Sequence, residues 1–333
     1  MVRYTGGFIT NTEVIPAGEF SNSVASGVWT LQEQLMYHKA GIFPVSGSVN
    51  ALGFIATDTT TIDKLSLTTQ GNASSFGTLS VSNDFKSALG SSTRFVLSTL
   101  GNSSNVIEFM VMADGGSTSD FGDLTVARGQ GTGGGNATRG LFSGGYNGSS
   151  RQNVIDYITI ASEGNATDFG DLAAESYSGT TITSTSRAVI TAGRQSSVVQ
   201  NIYYVTIAST GNTSDFGDLA EGRWRAADGG ASLTRGMHSS GENSGGTKTD
   251  TIEFITIAST GDATDFGNLT HGAELPGGAS SLIKHFTMGG ANGGDSDIID
   301  VVTIASTGNA TDYGDLSEAG EASAASNAHG GLG

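Results

Sequence analysis

Apolar and β-branched residues gather into six short runs, at residues 62–67, 107–112, 155–160, 202–207, 252–257 and 299–304. Six residues suit a strand better than a helix, and the third run, Ile155-Asp156-Tyr157-Ile158-Thr159-Ile160, is apolar at more than alternate positions. Such a pattern predicts strands buried on both faces, flanked by sheet neighbours and covered by further sheets. Upstream of the runs lie second strands that end in small residues, as in Leu141-Phe142-Ser143-Gly144-Gly145 and Val189-Ile190-Thr191-Ala192-Gly193. Their glycines open a turn, so each pair reads as a hairpin whose loop varies in length.

After each hairpin comes one polar phrase, written Gly164-Asn165-Ala166-Thr167-Asp168-Phe169-Gly170-Asp171-Leu172 in the third copy. Its aromatic recurs at Phe76, Phe121, Phe169, Phe216, Phe266 and Tyr313, at intervals of 45 to 50 residues. The stretch that follows, such as residues 125–139, has room for at least one more strand. Three or four strands per unit, six times over and without helical periodicity, predict an all-β, six-bladed β-propeller. The sixth copy stops near residues 326–330, where the next hairpin strand would begin, and the first copy starts with such a strand at residues 51–57. The first blade is therefore expected to be shared between the two ends, which removes the open edges of the ring. Residues 45–333 are assigned to the propeller and residues 1–44 to an N-terminal arm.

The arm carries its own signal. Thr30-Leu31-Gln32-Glu33 is a capping-box pattern, in which the Thr30 hydroxyl and the Glu33 carboxylate each satisfy the other's backbone N–H. A short helix is expected from about residue 31 to residue 40, ending at Gly41, with Pro44 preventing its resumption. So short a helix has to dock on something. Trp29, Leu31 and Leu35 are its candidate anchor, against either the propeller or a partner subunit.

Composition narrows the partners. With 15 Lys and Arg against 32 Asp and Glu the net charge is −17, which disfavours nucleic acid, whose phosphates need basic neutralisation. The chain has no cysteine, so neither disulfides nor thiolate chemistry are available. No apolar run is long enough to span a membrane, and residues 1–12 lack the apolar centre of a signal peptide. Membrane insertion is not expected.

The recurring acids Asp168 and Asp171, Asp215 and Asp218, Asp312 and Asp315 suggest catalysis or metal binding, yet they are spread evenly around a ring. A catalytic centre needs groups that converge once, and a usual calcium site takes six or more oxygens. Turn chemistry is their expected role, as it is for Asn72, Asn136, Asn165, Asn212 and Asn309, whose triplets match the N-glycosylation pattern. The bases Arg94, Arg139, Arg187, Arg235 and Lys284 are expected to pair with Glu108, Asp156, Glu253 and Asp300 on the neighbouring strand. The five histidines show no metal-ligand spacing, and no cofactor motif is present. Arg223-Trp224-Arg225, which holds the only Trp of the ring, breaks the symmetry and is the candidate contact for a ligand or partner, with Trp224 filling a gap between blades as the alternative. The hairpin loops near residues 147–153, 194–201, 242–250 and 291–296 are unequal and are expected on one face, where recognition belongs.

A hairpin strand ending in Gly-Gly, an Ile-Asp-Tyr strand, the aromatic phrase and a downstream Arg128 or Arg223 together resemble the kelch repeat, with Phe or Tyr where kelch units usually carry Trp. Residues 155–172 and 299–316 are more closely similar to kelch-like repeats of structural proteins from marine tailed phages, including cyanophages. This resemblance spans roughly residues 50–333. The segment Ser26-Gly27-Val28-Trp29-Thr30-Leu31-Gln32-Glu33-Gln34, leading to Ala40-Gly41-Ile42-Phe43-Pro44, looks like a module of phage fibre and appendage proteins. The resemblance implies a non-enzymatic virion protein, assembled in the host cytoplasm as a homo-oligomer. Its arm would bind other virion proteins, and its loops a host-surface glycan or protein. A purely architectural capsid or tail piece is the alternative, and a glycan-degrading propeller enzyme a more distant one.

Overall fold

The computed structural model describes residues 51–82, 87–98 and 104–332; the expected arm helix with Trp29, Leu31 and Leu35 lies outside them. The described chain is all-β, and its principal sheets are the six blades of a propeller. Blade 3 shows the plan from the axis outward: Thr132–Gly135, Arg139–Ser143, Gln152–Thr159 and Thr167–Ser176, each antiparallel to the next. The innermost strand comes from the polar stretch between phrases. Six such strands converge on the axis, so they are built from small residues: a Cβ on Gly133 would stand 2.5 Å from the Ala88 carbonyl oxygen. The core lies between blades. Leu141, Ile155, Phe169 and Leu172 of blade 3 interdigitate with Ala188, Ile190, Val205 and Ile207 of blade 4, and the aromatic and Leu of each phrase anchor such a layer.

Blade 1 is shared, as the complementary ends of the chain imply. Ala322–Ser326 forms its innermost strand and pairs antiparallel with Leu52–Thr57. Beyond it, residues 327–332 cross the axis. His329 donates Nε2–H to the Gly90 carbonyl of blade 2 at 3.0 Å, takes the Gly331 N–H on Nδ1 at 3.1 Å, and Gly330 N–H reaches Ala231 O of blade 5 at 2.9 Å. The tail thus covers one mouth of the axis.

The repeated phrase is the lock between blades. Gly211 N–H donates to Phe169 O at 2.7 Å and Thr213 N–H to Asp171 O at 2.9 Å, while Asn212 Oδ1 accepts the Asp171 N–H at 3.0 Å. Equivalent side-chain bonds run from Asn165 to blade 2, Asp262 to blade 4, Asn309 to blade 5 and Asn72 to blade 6. These side chains tie neighbouring blades together, a longer reach than the local turns expected of them. Of the asparagines named for their triplets, Asn136 is the one that holds a tight turn, accepting from Thr138 and Arg139 N–H.

The expected base–acid pairs do not form. In blade 3 the register sets Arg139 opposite Thr159 and Asp156 opposite Phe142, three rungs or about 10 Å apart along the strand. The bases instead lie on aromatic rings: Arg94 over Phe109, Arg139 over Tyr157, Arg187 over Tyr204 and Arg235 over Phe254, at 4.4 to 4.7 Å from the centroids. Each also donates to a carbonyl of the next blade, Ile160, Ile207, Ile257 or Ile304, at 2.9 to 3.0 Å. The acids are buried near the opposite ends of the strands and receive the residue that follows the preceding blade's phrase. Asp156 binds Thr125, Asp300 binds Thr270 and Asp63 binds Ser317, each through backbone N–H and hydroxyl.

Substitution at the lock tests its geometry. Gly217 has φ +150° and a Cβ there would collide with the Gly261 carbonyl, whereas Gly246, at φ +80°, has open space around it. Gly217→Ala is expected to cost about 3 kcal/mol and Gly246→Ala about 1 kcal/mol, read from urea unfolding; equal costs would show that the close approach is unimportant.

Candidate functional site: the loop face

Within each blade the chain runs so that the hairpin loops and the crossovers to the next blade share one face of the ring, and the tight turns and the Thr-Gly-Asn loops share the other. On the loop face the crossovers are pinned around the axis by a chain of backbone bonds. Ser178 N–H donates to Gln130 O at 2.7 Å, Arg225 to Ser178 at 2.9 Å, Leu275 to Arg225 at 2.7 Å and Ala322 to Leu275 at 2.9 Å. Gln130, Ser178, Arg225 and Leu275 all hold φ between +53° and +55°, a left-handed conformation that costs a non-glycine residue about 1–2 kcal/mol. Four strained residues at equivalent positions fix the residue before each one relative to the loops.

Those preceding residues and their loop partners are where the blades differ. Tyr177 bridges to Arg194 and Gly129 to Tyr146, while Arg223–Trp224 pairs with Glu242–Asn243. An aromatic row results: Tyr146 to Tyr177 at 5.7 Å between centroids, and Tyr177 edge-on to Trp224 at 5.7 Å. Arg194 and Arg225 lie over the Trp224 ring at 4.5 and 4.1 Å. Arg225 continues into acids, donating to Glu274 at 2.6 Å, which also takes Lys248 at 3.2 Å. Burial pushes the Glu274 carboxyl up, but the bonds from Arg225 and Lys248 hold it below the ordinary range.

The Arg223-Trp224-Arg225 motif therefore divides. Arg223 is 1% exposed and its guanidinium is committed to Glu253 and the Thr251 carbonyl; it is a fixture between blades 4 and 5, as Arg128 is with Asp156 at 2.9 Å. Trp224 is 6% exposed and fills the space between crossovers. Of the three, Arg225 alone presents a half-exposed side chain. Tyr146, Tyr177 and Arg194 join it as half-exposed residues of this face. Arg194 opens one of the unequal loops and was within reach of sequence reasoning; the two tyrosines gave no signal beyond being unmatched in sibling repeats.

Other polar groups lie inside the ring. Ser239 Oγ contacts His285 Nε2 at 3.1 Å and Thr287 Oγ1 at 2.7 Å, but Ser239 is 0% and His285 1% exposed, so this hydroxyl–imidazole pair has no access for a substrate. Burial lowers His285 to about 4. Burial, then the charges of Arg223 and His285, lower His238 well below its ordinary value. The axis is a channel of about 30 Å³, lined among others by Gly134, Thr181, Ala279 and Ala324, with room for little more than a water molecule. Asp228 stands in it, accepting the Ala324 N–H at 2.7 Å, and burial raises its carboxyl to about 7. Among the described residues no three His, Asp or Glu side chains are grouped to hold a metal ion.

The two arginines of the motif should separate experimentally. Arg223→Ala strands a buried Glu253 and is expected to cost about 3–5 kcal/mol in stability, whereas Arg225→Ala should cost under about 1 kcal/mol. Acidification should act through the histidines. His238 and His285 stay neutral in the fold but take up protons once unfolded, so stability drops as pH falls from 6.5 towards 4, by about 3 kcal/mol for His285 alone. Asp228 opposes this, because between pH 3.8 and about 7 the folded carboxyl keeps a proton that the unfolded chain releases. Asp228→Asn should therefore gain stability relative to the parent above pH 7, measured by denaturant titration across pH. No known protein-family model matches the chain, and no curated protein is similar to it in sequence.

Proposed function

We propose that the chain is a non-enzymatic structural protein of a phage virion, held on a tail fibre or another appendage by its N-terminal arm, with the loop face binding a host-surface glycan or protein. The observation that carries this reading is the polarity of the ring. Leu52, the first residue of its strand, pairs with Ser66 and bonds Asn327 on the turn face, so a propeller attached through residues 1–50 presents its loop face away from the attachment. The repeated polar residues are consumed between blades, which leaves Tyr146, Tyr177, Arg194 and Arg225 as the distinctive chemistry on the outward side. Half-exposed Tyr and Arg held by a rigid scaffold are well suited to contact, and several copies would add avidity.

The architectural alternative, a capsid decoration or tail connector, draws support from Leu233 and Ile283, which stand 56% and 55% exposed on the turn face and suit contact with another subunit. Binding of the labelled protein to host cells separates the two. A Tyr146→Ala/Tyr177→Ala/Arg194→Ala variant should stay folded, with melting lowered by the packing lost on Trp224, and lose at least about 90% of cell binding, a change of over 1.4 kcal/mol. Unchanged binding by that variant, or electron microscopy of virions showing the loop face covered by other subunits, would remove the adhesive reading.

A further inference from the structure

Junction by junction, the turn-face rim repeats one device in blades 2 to 5: an arginine lies over the aromatic of the third strand and reaches a carbonyl of the next blade. Blade 6 lacks both halves. Lys284 replaces the arginine and Val301 replaces the aromatic, since Lys284 pairs with Thr303 and Phe286 with Val301 just as Arg139 pairs with Thr159 and Leu141 with Tyr157. Phe286 of the second strand takes the edge-on place beside the phrase aromatic, and outside it a cavity of about 350 Å³ is open between blades 6 and 1. Beneath it lies Tyr313, the one phrase aromatic with a hydroxyl and only 3% exposed, and that hydroxyl donates to Ser66 O of blade 1 at 2.8 Å. The blade junction is thus kept closed without the arginine, and the cavity lies free beside it.

The lining has a definite chemistry. Lys284 Nζ stands 5.2 Å from the Tyr313 centroid and, among the described residues, has no ion pair or hydrogen bond. Thr303, Thr311 and Asn309 offer hydroxyls and an amide, and Gln70 closes the blade 1 side, its amide donating to Asp312 O at 3.3 Å. The Asp312 carboxylate, exposed at the rim, accepts the Gly314 N–H at 3.1 Å and has lone pairs left for hydroxyls. An apolar flank at Val301, a hydroxyl and amide rim, and one ammonium with no acidic partner among the described residues, in a volume near the small end of ligand pockets, roughly 300–1,000 Å³, match a single sugar ring that carries a carboxylate.

We propose that the blade 6–blade 1 socket binds an acidic monosaccharide unit, with the ring against Val301, the carboxylate on Lys284 and the hydroxyls on Thr303, Asn309 and Asp312. The site is on the face opposite the loops and is independent of their role. The unit comes either as a free uronic acid or as the end of a polyuronate chain, and the two differ in whether oligomers compete with monomer.

Isothermal titration and NMR of the full chain with glucuronic acid, glucose, inorganic sulfate and a polyuronate oligomer test this. Glucuronic acid is expected to bind with a Kd of about 1 mM or better and to shift Lys284 and Tyr313 signals, with glucose at least about tenfold weaker. Lys284→Met should weaken glucuronic acid about tenfold and leave glucose unchanged. The Lys284→Arg/Val301→Tyr variant restores the sibling pattern, so it should melt no lower than the parent and bind no sugar. Sulfate competing as well as glucuronic acid would reduce the site to a simple anion contact and overturn the proposal. So would full binding by the filled variant or by Lys284→Met, or no shift at Lys284 and Tyr313 with any acidic sugar.

Discussion

Between neighbouring blades the outer strand of one and the loop of the next approach so closely that a carbon atom cannot be added to the outer-strand backbone. Gly122 faces Gly164, Gly170 faces Gly211, Gly217 faces Gly261 and Gly267 faces Gly308, and the first glycine of each pair holds φ between +143° and +150°. Everything else in the ring follows from that approach. It lets Phe169 and Asp171 carbonyls receive N–H groups from the next blade, brings an Asn or Asp side chain onto the opposite amide, and sets the distance at which Phe and Leu of the phrase meet the next sheet. A propeller of thin sheets has no helix to cover it, and face-to-face burial between blades is its main source of stability.

Because five of the six junctions use the same side-chain lock, the polar residues of the repeat are already engaged in holding the ring. A buried acid receives the incoming crossover in blades 1, 2, 3, 5 and 6; in blade 4 Tyr203 stands in its place, and there the preceding outer strand runs on to Ser176. Function then belongs to positions the repeat leaves unconstrained. The loop face and the blade 6–blade 1 socket are two such departures, one adding aromatics and arginines, the other removing them.

Period and strand pattern were readable along the chain because each unit must satisfy the same contacts, so the phrase stays nearly letter-perfect and the closing strand could be placed from the two incomplete ends. Pairings within the unit were less readable. Arg139 and Asp156 are near enough in sequence alignment to suggest an ion pair, but strand register separates them along the sheet, and nothing local in the sequence sets which rung a side chain occupies. Trp224 stood out by rarity, and rarity does not distinguish a buried filler from a contact residue. Tyr146, Tyr177 and Lys284 acquire meaning only when sibling blades are superimposed in space. The Lys-for-Arg exchange at Lys284 is conservative as a letter, yet a planar fork that stacks and reaches a carbonyl is lost.

The strand Leu52–Thr57 has one further property. It is clamped on both sides, by Thr61–Ser66 and by the C-terminal Ala322–Ser326, and the chain enters it at the turn face along the strand direction. Tension applied through the preceding residues would pull along both ladders rather than across them, so their hydrogen bonds would share the load instead of opening one at a time. The first and last strands of the ring, joined to complete a blade, also form the part best placed to bear mechanical force.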